Sequence, residues 1–352
     1  MTEMPLQSNS LEIPGRPFGR MARSVFGYAL LMAFMFLPPV VVFLPAAIFH
    51  CGIRNGRRAT WLALAIGAAI GIGLGVAAAT HSGATAADLR LAYGSLISEL
   101  LTVAIPAMLV LPLVERSVSF GNVLMAALLL ALSGFAATEL ASRAFLGVSY
   151  FADQFAQFEQ WKAAVIAYYQ HTPGIPPEAV DGVRRTMEML TQVFTNFLPA
   201  KAVISVIVFF VLSILMFGRL RAWGEFRRTR DVSASAGVYL FRNLTLPDVL
   251  LFVFVISGLA PLATGVLQKV ASNVLVVVLF LYLLQGLAIF RSLMASIGIN
   301  GMGLLFAFLM LGFLTFTAGI GPILLTIAGL FDSFFDFRKF RRKDDSNESH
   351  TD

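Results

Sequence analysis

Hydrophobic positions in this chain gather into long continuous runs divided by short polar clusters, the spacing expected of membrane spans rather than of half-buried strands. Runs of about twenty residues, the length that crosses a bilayer core, occupy 60–80, 91–114, 120–144, 199–217, 248–267 and 272–292. Two further apolar regions are interrupted: 25–50 by Pro38 and Pro39, and 302–335 by Gly319, Gly321 and Pro322. Each is one span or a hairpin of two short ones. Residues 145–198 follow a different rhythm. Val180, Val183, Met187, Leu190, Phe194 and Phe197 recur at steps of three and four, as do Phe151, Phe155 and Phe158 before them, with "HTPGIPP" as a turn between. The pattern predicts a helical hairpin that lies on the outer membrane surface or caps the bundle. A lid over an external binding site is the alternative.

Composition turns these runs into a fold class. With 58% hydrophobic and 13% charged residues, the 352-residue chain has too little polar surface to cover a water-soluble globule. Continuous runs rather than ten-residue alternations select helices over a barrel. The expectation is an all-α, polytopic transmembrane helical bundle of about 8 to 10 membrane helices, with short or re-entrant hairpins at both ends and an external helical hairpin. The polar N-terminus precedes an apolar region of about 26 residues, longer than a signal-peptide core of roughly 7 to 15, and reads as a retained tail.

Basic residues orient the bundle, because cytoplasmic loops collect Lys and Arg. If both interrupted regions are hairpins, 19 of the 26 basic residues share one side, including Arg54, Arg57, Arg58, the 219–242 cluster and 338–343. A single pass at 25–50 would send the 54–58 and 219–242 clusters to the opposite side. Ten helical segments with both termini cytoplasmic are therefore expected. Each half of a hairpin would have about 13 to 16 residues, roughly 20 to 24 Å of helix against a 30 Å core. The divisions are a tail (1–24), a first bundle (25–217) carrying the external loop 145–198, a basic loop (218–247), a second bundle (248–336) and a polar tail (337–352). The net charge of +6 is thereby assigned to the membrane surface and not to nucleic acid.

Ionisable groups inside spans are the candidates for chemistry, since each is costly in hydrocarbon. Glu99, Glu139 and Arg143 fall in the outer half of their spans, and Asn196, Lys201, Lys269 and Asn273 at outer ends complete a candidate outward-facing vestibule. The bland alternative has Glu139 and Arg143 as a local ion pair while Glu99 snorkels. Gln285 sits within a span beside Gly286 and is either an interhelical hydrogen-bonder or a substrate contact. Gly67, Gly71 and Gly75 form a small-xxx-small ridge for close helix approach, internal or between subunits. Asp332 and Asp336 lie one turn apart before Arg338 and mark the exit of the last helix, with Asp332 the better placed for helix docking. The single Cys51 excludes an intramolecular disulfide, and four scattered histidines show no metal-ligand spacing. No Walker-type motif, catalytic triad or H-E-x-x-H sequence is present, so neither a catalytic site, a cofactor nor a metal is expected, and ATP-derived energy would come from a separate protein.

Several stretches, "LPAAIFHCGIRNGRR", "LPDVLLF", "NVLVVVLFLYLLQGLAIF" and "GPILLTIAGLFDSFFDFRKF", resemble the YybS-like family of bacterial multi-pass membrane proteins, a domain of unknown function. "YLLQGLA" and "GLFDSFFDFRK" are its most specific elements, and 145–198 is the least family-like part. The resemblance implies a bacterial cytoplasmic membrane. That family is in turn distantly similar to the substrate-binding S components of energy-coupling-factor transporters, which implies a six-helix fold over 25–217 with an external ligand site. Fold analogy alone does not assign function. Two functions are expected to compete: small-solute binding or uptake with membrane or ATPase partners, and a membrane scaffold or envelope-assembly protein without transport. Neither is enzymatic.

Overall fold

The computed structural model describes residues 18–37, 39–82, 85–229, 239–299 and 320–335. Among them every regular element is helical: α1 (Phe18–Met35), α2 (Leu44–Asn55), α3 (Arg57–Ser82), α4 (Ala86–Glu99), α5 (Ile105–Glu115), α6 (Phe120–Ala141), α7 (Tyr150–His171), α8 (Pro177–Gly218), α9 (Arg221–Thr229), α10 (Val249–Gly258), α11 (Gly265–Ser296) and α12 (Ile320–Phe335). Arg57–Ala77, Tyr93–Glu115, Phe120–Phe145, Pro177–Gly218 and Gly265–Ser296 are long and apolar enough to cross a membrane, and four apolar helices are shorter. The fold is an all-helical membrane bundle. Helices satisfy their own backbone where no water is available, which is why apolar runs of this length take that form.

Residues 25–50 fold as a hairpin. After α1 closes, a 3₁₀ turn at Val40–Phe43 leads into α2, whose Pro45 sits in the first turn where its missing N–H is harmless. Gly67 of α3 lies against Ala29 O and Ala33 N of α1, and Gly71 lies near the Phe36 ring. The contact positions rise together, so α1 and α3 run parallel and α2 is the return leg between them. Twelve residues make about 18 Å of helix, too short to cross a 30 Å core. α2 is instead a short return leg enclosed by other helices. Leu44 to Phe49, Cys51 and Gly52 are all buried among α1, α3, α5 and α8. Ser213 Oγ on α8 donates to Val42 O at 2.7 Å and so satisfies a carbonyl of the deep turn. Irregular backbone at membrane depth survives only when enclosed in this way.

The helix ends bearing Arg54, Arg57, Arg58, Arg116, Arg219, Arg221 and Arg228 meet on one face, all of them exposed. Arg57 Nε donates to Glu115 Oε2 at 3.0 Å, joining α3 to α5 there. Beneath α9 the Trp223 ring is buried 5.1 Å from Phe217, 5.4 Å from Tyr239 and 5.6 Å from Phe226. Tyr239 Oη donates to Val118 O at 3.2 Å, which closes the α5–α6 turn over the same aromatic knot.

α8 runs 42 residues, bent where Phe197 leaves helical geometry (φ −118°, ψ 15°) ahead of Pro199. Its first half pairs with α7 outside the bundle. Most of the predicted stripe is spent on that pairing: Phe158 stacks on Phe194 at 4.2 Å, and Lys162 Nζ donates to Thr191 Oγ1 at 3.2 Å. Leu190 departs from the expectation, being 42% exposed while Thr191 takes the inward place. The turn expected near 267–272 comes earlier. α10 stops at Gly258, Pro261 lies in a 3₁₀ turn, and Gly265 opens α11 with φ 63°. Pro261 cannot continue the helical ladder, and a turn made of Leu, Ala and Pro leaves no dip in hydropathy to betray it. The first half of the 302–335 region lies outside the described residues.

Candidate functional site

Pro106 is the origin of the most irregular part of the bundle. With no N–H to offer Thr102 O, it is preceded by a slipped ladder: Leu100–Ala104 forms a π turn in which Ile105 N donates to Leu100 O, five residues back. The bulged Leu101 carbonyl presses on Gly134 of α6, where any side chain would collide with it. Thr102 Oγ1 turns back onto Ser98 O at 2.6 Å. A second π turn, Ser142–Leu146, ends α6 and is closed by Gly147 in left-handed geometry (φ 72°). π turns of this kind recur at functional sites because they redirect side chains without breaking the helix.

Glu99 stands at the last α-helical position before the first π turn. Its Oε2 is buried and has no hydrogen-bond partner. Snorkelling to water, one of the expectations for this residue, is thereby excluded for that oxygen. Ser98 and Glu99 both lie near enough to the Tyr150 phenol at the start of α7 to influence its ionisation. Burial pushes the Tyr150 phenol above its usual range; Ser98 opposes that shift and the Glu99 charge adds to it. Ser142 Oγ, at the second π turn, is also buried without a partner. Unsatisfied buried oxygens are rare, and two at neighbouring irregular turns mark a place where the protein holds polar capacity in reserve.

Glu139 and Arg143 are more fully occupied. Arg143 Nε donates to Glu139 Oε1 at 2.7 Å and Tyr150 N donates to Glu139 Oε2 at 3.0 Å, while Ser149 Oγ accepts from Ala152 N at 3.3 Å. Glu139 therefore caps α7, where the N-terminal dipole favours a negative charge. The side chains of Arg143 and Glu139 are 67% and 20% exposed, so the pair itself contributes only about 0.3–0.5 kcal/mol. Tyr150 is what joins the two acidic positions into one node.

The remaining candidates form separate groups. The Asn273 amide of α11 accepts from Ala200 N at 3.0 Å and donates to Asn196 O at 2.8 Å, bridging the donor and acceptor that an unbroken α8 would join directly. It donates as well to Lys269 O at 2.8 Å. Lys201 lies 4.7 Å from the Phe194 ring centre, a cation–π contact. Gln285 Nε2 donates to Asp332 Oδ2 at 3.1 Å and Gln285 Oε1 accepts from Leu246 N at 3.2 Å. Around that bond Gly286 touches the Leu325 carbonyl and Gly329 the Tyr282 carbonyl, so α11 and α12 meet backbone to backbone. The glycine ridge of α3 divides: Gly67 packs on α1, Gly71 makes ordinary contacts, and Gly75 has open space around it. Asp336 and Arg338 lie outside the described residues. Between α7 and α8 a cleft of about 410 Å³ is lined by Glu159, Lys162, Arg184 and Glu188 over Ile166 and Met187.

Ser98, Gly134, Ser142 and Tyr150 were not legible as site residues. Gly134 carries a usable signal, a single glycine in mid-span with no break to explain it. Tyr150 carries none, because its approach to Glu99 across 51 positions exists only in the fold.

A family model described as a predicted membrane protein (DUF2232) matches residues 25–333, a stretch that runs through the external hairpin. No curated protein and no solved structure matches the chain.

Proposed function

The chain belongs to this family of predicted membrane proteins, and from that premise we propose that it binds a small solute from the side opposite the arginines, with uptake energised by separate partner proteins. The observation that carries the reading is the buried, unpartnered Glu99 Oε2 beside Ser98 and Tyr150 at a π turn. A buried carboxyl group with an unpartnered oxygen is complementary to a cationic or hydrogen-bond-donating group, whose arrival would supply the missing partner. Glu139 and Arg143 serve this site indirectly by fixing the start of α7, which carries Tyr150. The arginine face is cytoplasmic under the positive-inside rule, in a bacterial inner membrane with both termini on that side. The reading requires no bond-making chemistry of the protein. Thermal stability of the full chain in detergent, screened against amines, amino acids and vitamins, tests it. A stabilising solute whose effect is lost in Glu99→Gln supports the site. If no solute stabilises the native protein, or the stabilising one acts equally on Glu99→Gln, the reading fails.

The second reading, a scaffold for envelope assembly, draws on the exposed arginines around α9. Purification from the native membrane separates the two: an ATPase pair favours uptake, and a cell-envelope complex favours scaffolding.

A further inference from the structure

The external hairpin has two unlike faces that neither helix shows alone. Its inward stripe, Phe158 on α7 and Met187 with Phe194 on α8, is consumed in joining α7 to α8. At about 100° per residue, Trp161, Ala164 and Tyr168 lie roughly a quarter-turn or more from that stripe on α7, and Leu190 and Val193 a quarter-turn from it on α8. Because the helices are antiparallel, these two offsets point to the same side of the hairpin. The apolar side chains there are uncovered: Trp161 is 51%, Tyr168 67% and Val193 56% exposed. Glu159, Arg184 and Glu188 turn to the opposite side, where they line the cleft between the helices.

We propose that the hairpin lies flat on the bilayer, with Trp161, Tyr168, Leu190 and Val193 seated in the headgroup layer and the charged cleft turned to water. Three observations choose a lipid surface as the occupant. Trp and Tyr, an apolar ring with a polar tip, are the side chains that settle at a membrane–water boundary. Exposed apolar side chains also precede the hairpin, since Leu140 and Phe145, which lead into α7, are 69% and 80% exposed. Glu159, Lys162, Arg184 and Glu188 lie together on the cleft side, an asymmetry of the kind an interfacial helix shows. The membrane-facing stripe thus differs from the periodic one that the sequence displays and shares only Leu190 with it.

Single cysteines placed at Trp161, Leu190, Arg184 and Glu188 in the full-length protein, spin-labelled and reconstituted in phosphatidylcholine–phosphatidylglycerol vesicles, test the proposal. Cys51 is buried, and the labelled native protein gives its background. The relaxation ratio for oxygen against a water-soluble nickel complex is expected to be severalfold higher at 161 and 190 than at 184 and 188. Equal access of nickel to all four sites would place the hairpin in water and overturn the proposal. So would dipolar broadening at 161 that disappears on dilution with unlabelled protein, because a second copy of the chain would then be covering the face.

Discussion

Replacing Asn273 with leucine removes a side-chain amide that stands in for an opened backbone hydrogen bond. At the bend of α8 the Ala200 donor and the Asn196 acceptor are both held by Asn273, at 3.0 and 2.8 Å. Ala200 is only 1% exposed, so its N–H has no solvent to turn to, whereas Asn196 is exposed and its carbonyl finds other partners. The cost is therefore dominated by one buried donor, about 1–3 kcal/mol by the usual penalty for an orphaned group. Interhelical hydrogen bonds within membranes average nearer 0.6 kcal/mol, because the reference state also finds partners, so about 1–2 kcal/mol is expected for Asn273→Leu. Equilibrium unfolding in mixed dodecylmaltoside–SDS micelles, followed by circular dichroism, measures it. Pro199→Ala supplies the control. It restores the N–H whose loss bends the helix and allows Ala200 N to reach Asn196 O directly, so it should recover much of the loss in the Asn273→Leu background. Coupling above about 0.5 kcal/mol is expected for sites sharing one network. Native-like stability of Asn273→Leu, or a loss that Pro199→Ala leaves untouched, would refute the clamp.

Gly286→Ala and Gly329→Ala each drive a methyl group into a facing carbonyl and should cost about 1–3 kcal/mol in the same unfolding assay. Gly75→Ala, with nothing near it, should stay within about 0.5 kcal/mol of the native protein. Burial pushes the Tyr239 phenol up, with nearby Arg227 opposing, so the folded chain keeps it neutral where an unfolded chain ionises it. Its contribution is complete below about pH 10 and is lost as pH rises beyond that value. Unfolding midpoints should accordingly fall above about pH 10 less steeply in Tyr239→Phe than in the native protein.

Much of the polar chemistry was visible as residue types before it was visible as contacts. Gln285 and Asp332 stand out because amides and carboxylates are rare in apolar runs, and each invites a partner; that they partner one another, under two glycines that let the backbones touch, required α11 and α12 to be packed. Glu139 and Arg143, four apart on one helix, declare their pairing locally, yet the Tyr150 N–H that makes Glu139 a cap comes from another element. Asn273 reads as a polar residue at a helix end, and only the bend at Pro199 reveals what it satisfies. Glu99 is the converse case, since its carboxylate oxygen is distinguished by what the fold withholds from it.

Hydrophobic run length determined by itself that this is a multi-helix membrane protein, and the excess of arginine at alternate breaks favoured a short hairpin at its start. Both signals arise from the solvent: hydrocarbon demands about twenty apolar residues per crossing, and charge resists entering it. Direction within the bundle was decided elsewhere. Which glycine packs, which stripe of α7 and α8 joins the helices and which is left for the bilayer, and which carboxylate goes unpartnered all depend on contacts between residues distant in the chain. A periodic pattern marks a face as apolar but does not say whether a helix or a lipid will cover it, and that choice belongs to the tertiary structure.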